Sequence, residues 1–242
     1  MNRASIIFLG VFGALAFSFA GLVLTNQLTY GSLTTHVDED EGKSFPQQTP
    51  GLAAQGKLVY QDLGCVTCHT QQVRRPGFGA DTGEKSRGWG ERQSVARDYL
   101  RESRVLIGSQ RVGPDLRNFA ARKNADGTDL TADALYRYLL DPTLVSKDSA
   151  MPGYAFLFKT QQVIGEPSTK ALKGLPESLA AAPGYEVVPT ARAEALVAYL
   201  LSLKDTYAYP ETKNVYTAPV PEKKAAAPHG ETKVEATKEG HK

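Results

Sequence analysis

The chain has 242 residues, a length that allows one or two domains. Its 28 lysines and arginines nearly balance 26 aspartates and glutamates, which gives a formal net charge of +2 at pH 7. Because the two signs are mixed along the sequence, the composition speaks against a basic surface for nucleic acid.

An uncharged N-terminal segment predicts a transmembrane anchor over residues 4–28. The run from Ile6 to Leu24 holds 19 almost exclusively apolar residues. At 1.5 Å per residue it spans roughly the ~30 Å hydrocarbon core of a bilayer. Arg3 precedes the run and the acidic residues 38–41 follow it, so the positive-inside rule places the N-terminus in the cytoplasm and the rest of the chain outside.

A cleaved signal peptide is the alternative interpretation of this segment, with Ser18 and Ala20 as small residues near a cleavage point. The apolar run is longer than the about 7 to 15 residues of a signal-peptide core, and Arg3 alone makes a short basic region. Both interpretations export the chain that follows.

Residues 29–50 are rich in Thr, Gly, Pro and acidic residues, and they predict a linker. After it, apolar residues at helical spacing predict a helix over residues 51–63. Gly64 suits the C-terminal end of that helix. The helix therefore leads directly into the sequence Cys-Val-Thr-Cys-His at residues 65–69.

Cys65, Cys68 and His69 form the pattern that attaches a c-type haem. Each thiol adds to one vinyl group of the porphyrin, and the histidine is held under the iron as the proximal ligand. The pattern therefore predicts one covalently bound haem c, with Cys65 and Cys68 as attachment points and His69 as an iron ligand.

Other interpretations of the cysteine pair explain less. A zinc site needs about four ligands, and the remaining histidines, at positions 36, 229 and 241, lie in polar or low-complexity segments. A thioredoxin-type pair is expected near a strand-helix-strand pattern, which the sequence does not show here. A structural disulfide between Cys65 and Cys68 stays open, but it gives His69 no role.

Met151 is predicted by elimination as the second axial ligand. Met1 precedes the apolar run, which leaves Met151, next to Pro152, as the methionine that the haem domain can offer. A thioether ligand raises the reduction potential and suits electron transfer. The alternative is five-coordinate or water-ligated iron, which suits ligand binding or catalysis, with Met151 as an ordinary loop or core residue.

Residues 70–112 form a charged insertion with nine basic and five acidic residues between Arg74 and Arg111. This excess fits haem propionates or an acidic partner, and equally a solvated face with local ion pairs. Arg74 and Arg75 are the candidates for propionate binding or docking. Trp89 is a further candidate, because its indole N–H needs an acceptor if it is buried.

Pro114 is a candidate partner of His69. A metal-bound histidine usually donates its second ring N–H to a carbonyl or a carboxylate, which fixes the ring and tunes the metal. Pro114 has a carbonyl and no N–H of its own. Its surroundings, Val-Gly-Pro-Asp-Leu at residues 112–116, by themselves indicate only a turn.

The rest of the chain predicts two further helices. Thr131 is the expected cap of a helix over residues 132–140, and Thr190 begins a last helix that ends near Lys204. Prolines and glycines in residues 154–189 predict an irregular insertion. Residues 205–242, rich in Pro, Ala, Lys and Glu, predict an extended or disordered tail.

These elements, in this order, resemble the class I cytochrome c fold. The resemblance covers residues 51–204. It implies a mainly α protein, in which a single N-terminal transmembrane helix precedes a class I cytochrome c-like helical domain. In that fold the carbonyl matching Pro114 accepts from the proximal histidine. The fold also implies that Gly56 and Tyr60 meet the last helix.

A narrower resemblance is to the mono-haem c subunit, subunit II, of the cbb-type (C-family) haem-copper cytochrome c oxidases. It rests on CVTCHTQQVRRPGF from Cys65, IGSQRVGPDL from Ile107 and DPTLVSKDSAMPGYAFL from Asp141. The family usually carries a Glu-Arg-Tyr-Gly stretch, for which residues 86–90 are only a loose counterpart. The resemblance implies a bacterial cytoplasmic membrane protein with a periplasmic haem domain.

The same resemblance implies an electron-transfer subunit with no substrate-converting site of its own. Its expected partners are the catalytic haem-copper subunit and a di-haem c subunit or donor cytochrome c. The alternatives are the cytochrome c subunit of a nitric oxide reductase and a free-standing membrane-anchored shuttle. A haem enzyme such as a peroxidase is least favoured, because a fixed Met151 ligand would block its iron.

Overall fold

The computed structural model describes residues 3–75, 78, 87–124 and 127–212. It is mainly helical, as the sequence predicts. The helices are α1 (Ala4–Tyr30, including a π-helical turn at Ala20–Leu24), α2 (Gly51–Asp62), α3 (Cys65–Cys68), α4 (Ala132–Leu140) and α5 (Ala191–Ser202). The strands are β1 (His36–Asp38), β2 (Lys43–Phe45), β3 (Phe158–Gln162) and β4 (Tyr185–Pro189).

Helix α1 is long and apolar enough to cross a membrane, with 27 residues from Ala4 to Tyr30. Its large apolar side chains are exposed along its length, among them Phe8, Leu15 and Phe17. An apolar surface of this extent needs lipid or protein to cover it. The helix continues two residues past the predicted end of the anchor.

Helices α2 and α5 pack closely across each other. A Cβ on Gly56 would overlap the carbonyl oxygen of Ala195 and lie 2.8 Å from the Cβ of Tyr199. The rings of Tyr60 and Tyr199 meet edge to face, with centroids 5.4 Å apart. Glycine at position 56 therefore permits the close approach of the two backbones, and the predicted contact of Gly56 and Tyr60 with the last helix is confirmed.

The predicted helix ends match the structure. The Thr131 hydroxyl accepts from the backbone N–H of Ala134 at 3.3 Å, and the Thr190 hydroxyl accepts from that of Ala193 at 3.4 Å. Both are N-caps that satisfy donors left free at the start of a helix. Gly64 has φ +70°, a left-handed conformation that separates α2 from α3.

Residues 154–189 are more regular than the sequence predicts. Strands β3 and β4 pair antiparallel from Phe158 opposite Pro189 to Gln162 opposite Tyr185. The outer edge of β4 is also paired, because the Leu172 N–H donates to the Val187 carbonyl at 2.9 Å. The prediction of an irregular insertion is therefore wrong for these strands, whose partners lie more than twenty residues apart in sequence.

Residues 29–50 are not a simple linker. Strands β1 and β2 pair antiparallel and form a hairpin over residues 36–45, which we call the N-terminal hairpin. The Asp38 carboxylate closes its turn by accepting from the backbone N–H groups of Asp40 and Glu41, at 2.9 and 3.0 Å. The sequence prediction missed this hairpin because its two strands have only three residues each.

The packed part of the chain extends beyond residue 204. Residues 205–212, which we call the C-terminal strap, return to the domain: Tyr209 is 1% exposed, and Asp205 pairs with Arg117. The Arg92 Nε donates to the Tyr207 carbonyl at 2.6 Å. The predicted tail therefore begins too early. Residues 213–242, the rest of that prediction, lie outside the described part of the chain.

Candidate haem-binding site

The cysteine pair lies on a single helical turn directly after α2. Gly64, in the left-handed conformation, precedes the turn, which closes where the His69 N–H donates to the Cys65 carbonyl at 3.0 Å. Cys65 is partly buried and Cys68 is exposed, and both thiols are free. No disulfide therefore links them, and both sulfur atoms remain available for another bond.

The His69 ring is oriented by the backbone of Pro114. Its Nδ1 lies 2.8 Å from the Pro114 carbonyl oxygen. A carbonyl can only accept, so Nδ1 carries the proton and donates it to this hydrogen bond. In the neutral ring Nε2 then keeps its lone pair, and it makes no hydrogen bond within the described residues. This is the protonation state of a metal-ligating imidazole.

Gly113 leaves the space that the His69 ring occupies. A Cβ at position 113 would lie 2.7 Å from His69 Nδ1 and closer still to Cε1. The Gly113 N–H donates to the Cys68 carbonyl at 3.0 Å. No role was predicted for Gly113 from the sequence. The sequence did contain one signal for it: this glycine directly precedes Pro114, whose carbonyl was the candidate acceptor for the ring.

Buried polar side chains support the segment that follows His69. The Tyr60 hydroxyl donates to the His69 carbonyl at 3.4 Å. The Gln71 amide is hydrogen-bonded to the Tyr199 hydroxyl at 3.0 Å, and the Tyr99 hydroxyl donates to the Gln71 carbonyl at 2.9 Å. Burial raises the pKa of Tyr60, Tyr99 and Tyr199, so all three stay neutral donors at physiological pH.

The Met151 loop is brought next to the cysteine motif. Met151 is partly buried and packs, like Cys65, against the common hydrophobic core. Three residues later, the Tyr154 N–H donates to the Leu139 carbonyl at 2.7 Å, which attaches the loop to α4. The Tyr154 side chain in turn lies close enough to Cys65 for the two groups to affect each other's pKa. Tyr154 was not among the site residues predicted from the sequence.

Burial changes the acid-base behaviour of this contact. It raises the pKa of the Cys65 thiol, although the neighbouring Tyr154 side chain acts in the opposite direction. Burial and the neighbouring sulfur together raise the pKa of Tyr154 to about 12. Both groups are therefore neutral near pH 7, and Cys65 keeps a protonated thiol when no haem is attached.

Trp89 is joined to the site through an arginine. The indole is 8% exposed and lies against the guanidinium of Arg87, 3.6 Å from the ring centroid, and that of Arg111, at 5.3 Å. Arg111 also donates from Nη2 to the Gln72 carbonyl at 2.7 Å, on the segment after His69.

Arg74 and Arg75, the other candidates for propionate binding or docking, are exposed on the surface. The Arg75 guanidinium lies 4.2 Å from the centroid of the Phe78 ring. Residues 76, 77 and 79–86, which include part of the predicted insertion, lie outside the described residues.

The residues present fit a c-type haem. Two free thiols lie on one turn, the following histidine has its Nδ1 engaged and its Nε2 free, and Gly113 leaves room for the ring. In the described residues, no group of three or more His, Cys, Asp or Glu side chains is arranged to hold a metal ion.

The crossing of α2 and α5, with a Cys-x-x-Cys-His turn directly after α2, defines a class I cytochrome c-like domain. One long apolar helix precedes it. A family model described as "Cytochrome C oxidase, mono-heme subunit/FixO" matches residues 2–175, and the chain belongs to this family. That description implies one haem and a catalytic partner subunit in an oxidase complex. A search of curated proteins finds no match for the chain.

Proposed function

We propose that this chain is a membrane-anchored mono-haem cytochrome c that passes electrons to the catalytic subunit of a cbb-type haem-copper cytochrome c oxidase. The observation that carries the proposal is His69, whose Nδ1 is engaged by Pro114 beside two free thiols, in a chain of the mono-haem oxidase subunit family.

Four residues would hold the haem. Cys65 and Cys68 would bind it covalently, and the His69 Nε2 and the Met151 sulfur would bind the iron. When bound, the haem supplies one-electron redox chemistry at a potential raised by the thioether ligand. The chain's own contribution is to orient both ligands and keep water from the iron.

The contacts around the site support this contribution. The Pro114 carbonyl fixes the tautomer and direction of the His69 ring. The Tyr154 contact to Cys65 brings the loop that carries Met151 to the cysteine side of the site. Two ligands fixed in this way change little between oxidation states, which favours electron transfer over ligand binding.

The orientation of the chain follows from its charges. Arg3 precedes α1 and the acidic residues 38–41 follow it, so the N-terminus would be cytoplasmic and the haem domain periplasmic in a bacterial cytoplasmic membrane. The electron donor would be a di-haem c subunit or a donor cytochrome c. The long apolar surface of α1 is suited to contact with lipid and with the catalytic subunit.

Purification of the native complex from membranes in mild detergent tests this function. The chain should elute with a many-helix subunit that contains b-type haem and copper, and the complex should oxidise reduced cytochrome c. The variant Cys65→Ala should abolish that oxidation. Thr67→Ala, an exposed position on the same turn, should preserve it and is the matched control.

The alternatives give different results in the same experiment. A chain that carries haem c but elutes alone would be a membrane-anchored shuttle. A partner subunit with b-type haem and no copper would identify a nitric oxide reductase. Either result would overturn the oxidase assignment.

A further inference from the structure

Asp115, the residue after Pro114, has a completely buried carboxylate, with 0% exposure. Its Oδ2 accepts from the Thr70 hydroxyl at 2.6 Å and from the Gln72 N–H at 2.7 Å. Its Oδ1 accepts from the Arg117 N–H at 2.9 Å. A buried carboxylate is tolerated only when it is well hydrogen-bonded, and here three donors meet that condition. From the sequence, Asp115 was predicted only to be part of a turn.

The carboxylate joins the two segments that carry His69 and Pro114. These segments are also connected by backbone hydrogen bonds, from Gly113 to Cys68 at 3.0 Å and from Leu116 to Thr70 at 2.8 Å. The contact between the His69 ring and the Pro114 carbonyl is flanked by these two backbone hydrogen bonds, one on each side. The Asp115 side chain adds its bonds to residues 70 and 72 on the C-terminal side of His69.

The main chain of Asp115 is engaged as well. Arg122 donates from Nη2 to the Asp115 carbonyl oxygen. Burial lowers the pKa of Arg122, while the negative charge of Asp115 acts in the opposite direction and favours the charged guanidinium. The residue next to the Pro114 carbonyl is therefore fixed through both its side chain and its backbone, and little freedom remains for the peptide between them.

We propose that Asp115 is a positioning residue for the proximal ligand. Its carboxylate fixes the Pro114 carbonyl in the direction that accepts the His69 Nδ1 proton. It thereby sets the orientation and the basicity of the imidazole. The part of this inference that concerns the iron rests on the proposed function of His69 as a haem ligand.

The expected effect has a definite sign. A firmly placed acceptor at Nδ1 makes Nε2 a stronger donor to the iron, which stabilises the oxidised state and lowers the reduction potential. Loosening that acceptor should therefore raise the potential. It should also turn the ring, which changes the g-values of the low-spin ferric iron.

Three variants loosen the contact to different degrees. Asp115→Ala removes both acceptor oxygens and should raise the potential most. Asp115→Asn keeps one acceptor and should have an intermediate effect. Thr70→Val removes one donor but leaves the carboxylate with its two backbone bonds, so it should fold and cause the smallest rise.

Asp98→Asn is the matched control. Asp98 is also buried, at 3% exposure, and its carboxylate also accepts from a backbone N–H, that of Val95, at 2.9 Å. The same carboxylate forms a two-pronged ion pair with Arg92. This variant should lower stability without changing the potential or the g-values.

The experiment uses the full chain in its membrane complex, with haem content from pyridine haemochrome spectra. Redox titration of the c-type band and low-temperature electron paramagnetic resonance follow the site. Raised potentials and shifted g-values in Asp115→Asn and Thr70→Val, with none in Asp98→Asn, would support the proposal. If Asp115→Ala does not assemble, the other two variants decide.

The two proposals fail in distinguishable ways. A wild-type chain with no covalent haem would overturn the proposed function and this inference together. A wild-type chain with one haem, but with unchanged potentials and g-values in Asp115→Asn and Thr70→Val, would overturn only the positioning role.

Discussion

Two regions of the molecule are built on different principles. In the first region, around His69, the candidate haem-binding residues lie in one short motif. Pro114, which accepts from the His69 ring, belongs to a recognisable turn. At the opposite extreme, the N-terminal hairpin and the C-terminal strap meet although the sequence shows no motif in either. There the Phe45 and Tyr207 rings stack with centroids 4.0 Å apart. A function can be proposed from the sequence where the spacing of a motif matches a known chemistry, whereas contacts between side chains from distant segments cannot be predicted in this way.

Arginines complete the second region. Arg97 donates from Nη1 to the Thr34 carbonyl and pairs through Nε with Glu211 of the strap at 2.5 Å. Arg101 donates to the Pro46 carbonyl at 2.7 Å. The charged insertion was a predicted docking surface. Several of its arginines instead form contacts within the chain. These contacts attach the chain that follows α1 to the domain.

Loss of either cysteine should have the largest effect, and it should be confined to the first region. Cys65→Ala or Cys68→Ala removes one attachment sulfur, so covalent haem should fall sharply on a haem-stained gel. Normal two-thioether haem in either variant would contradict the assignment of the motif. Thr67→Ala, on the same turn, should keep the wild-type haem content.

Met151→Ala should leave the haem attached but change its redox behaviour. Without the thioether, the reduction potential should fall and the iron should bind small ligands such as carbon monoxide. Redox titration and ligand-difference spectra measure both effects. An unchanged spectrum and an unchanged potential would show that Met151 is not an iron ligand.

Tyr209→Ala should destabilise the packing of the hairpin and the strap, and it should leave the residues around His69 unchanged. Its side chain is 1% exposed, and removing a large buried aromatic group costs about 3–5 kcal/mol of folding free energy. Thermal unfolding should show a lower midpoint, while the haem spectrum of the folded protein should not change. Tyr185→Ala, at a 48% exposed position, is the control. Equal stability of the two variants would show that the strap is not an integral part of the fold.

Gly113→Ala should have a smaller effect, centred on the His69 ring. The added Cβ overlaps the ring, and overpacking of this kind costs about 1–3 kcal/mol. The ring must shift, so the ferric g-values should change even where haem content is normal. Gly51→Ala is the control, because a Cβ there meets nothing within 4 Å. Identical g-values in both variants would show that a Cβ at position 113 does not displace the His69 ring.

Truncation after Pro219 should have the smallest effect. The residues removed lie beyond the strap and outside the described part of the chain. Haem spectrum and thermal midpoint should match those of the full chain, whereas truncation after Lys204 removes Tyr209 and should destabilise it. A lost haem signal in the shorter truncation would show that the final residues contribute to the fold.

The helices could be predicted because each carries a local signal. Thr131 and Thr190 mark helix starts by capping, and Gly56 marks the crossing by the space it leaves. Strands β3 and β4 could not be predicted, because each has only five residues, β3 is mostly polar, and each is stabilised by a distant partner. A local pattern carries no information about such pairing.

The same distinction applies within the candidate site. Cys65, Cys68 and His69 could be singled out because the proposed haem attachment requires those residue types, and Pro114 because its carbonyl is a candidate acceptor for the histidine ring. Gly113 and Asp115 could not, because a glycine and an aspartate beside a proline are typical of any turn. Their importance depends on which ring fills the space at position 113 and which donors surround the buried carboxylate.

The most direct test of the central claim is the mass of this chain, isolated from its purified membrane complex and measured together with its pyridine haemochrome spectrum. The account predicts a single haem c added to the 26.2 kDa polypeptide, attached to the peptide that contains Cys65 and Cys68, in a complex with b-type haem and copper. An unmodified mass, or a haem removed by acid extraction, would contradict the account.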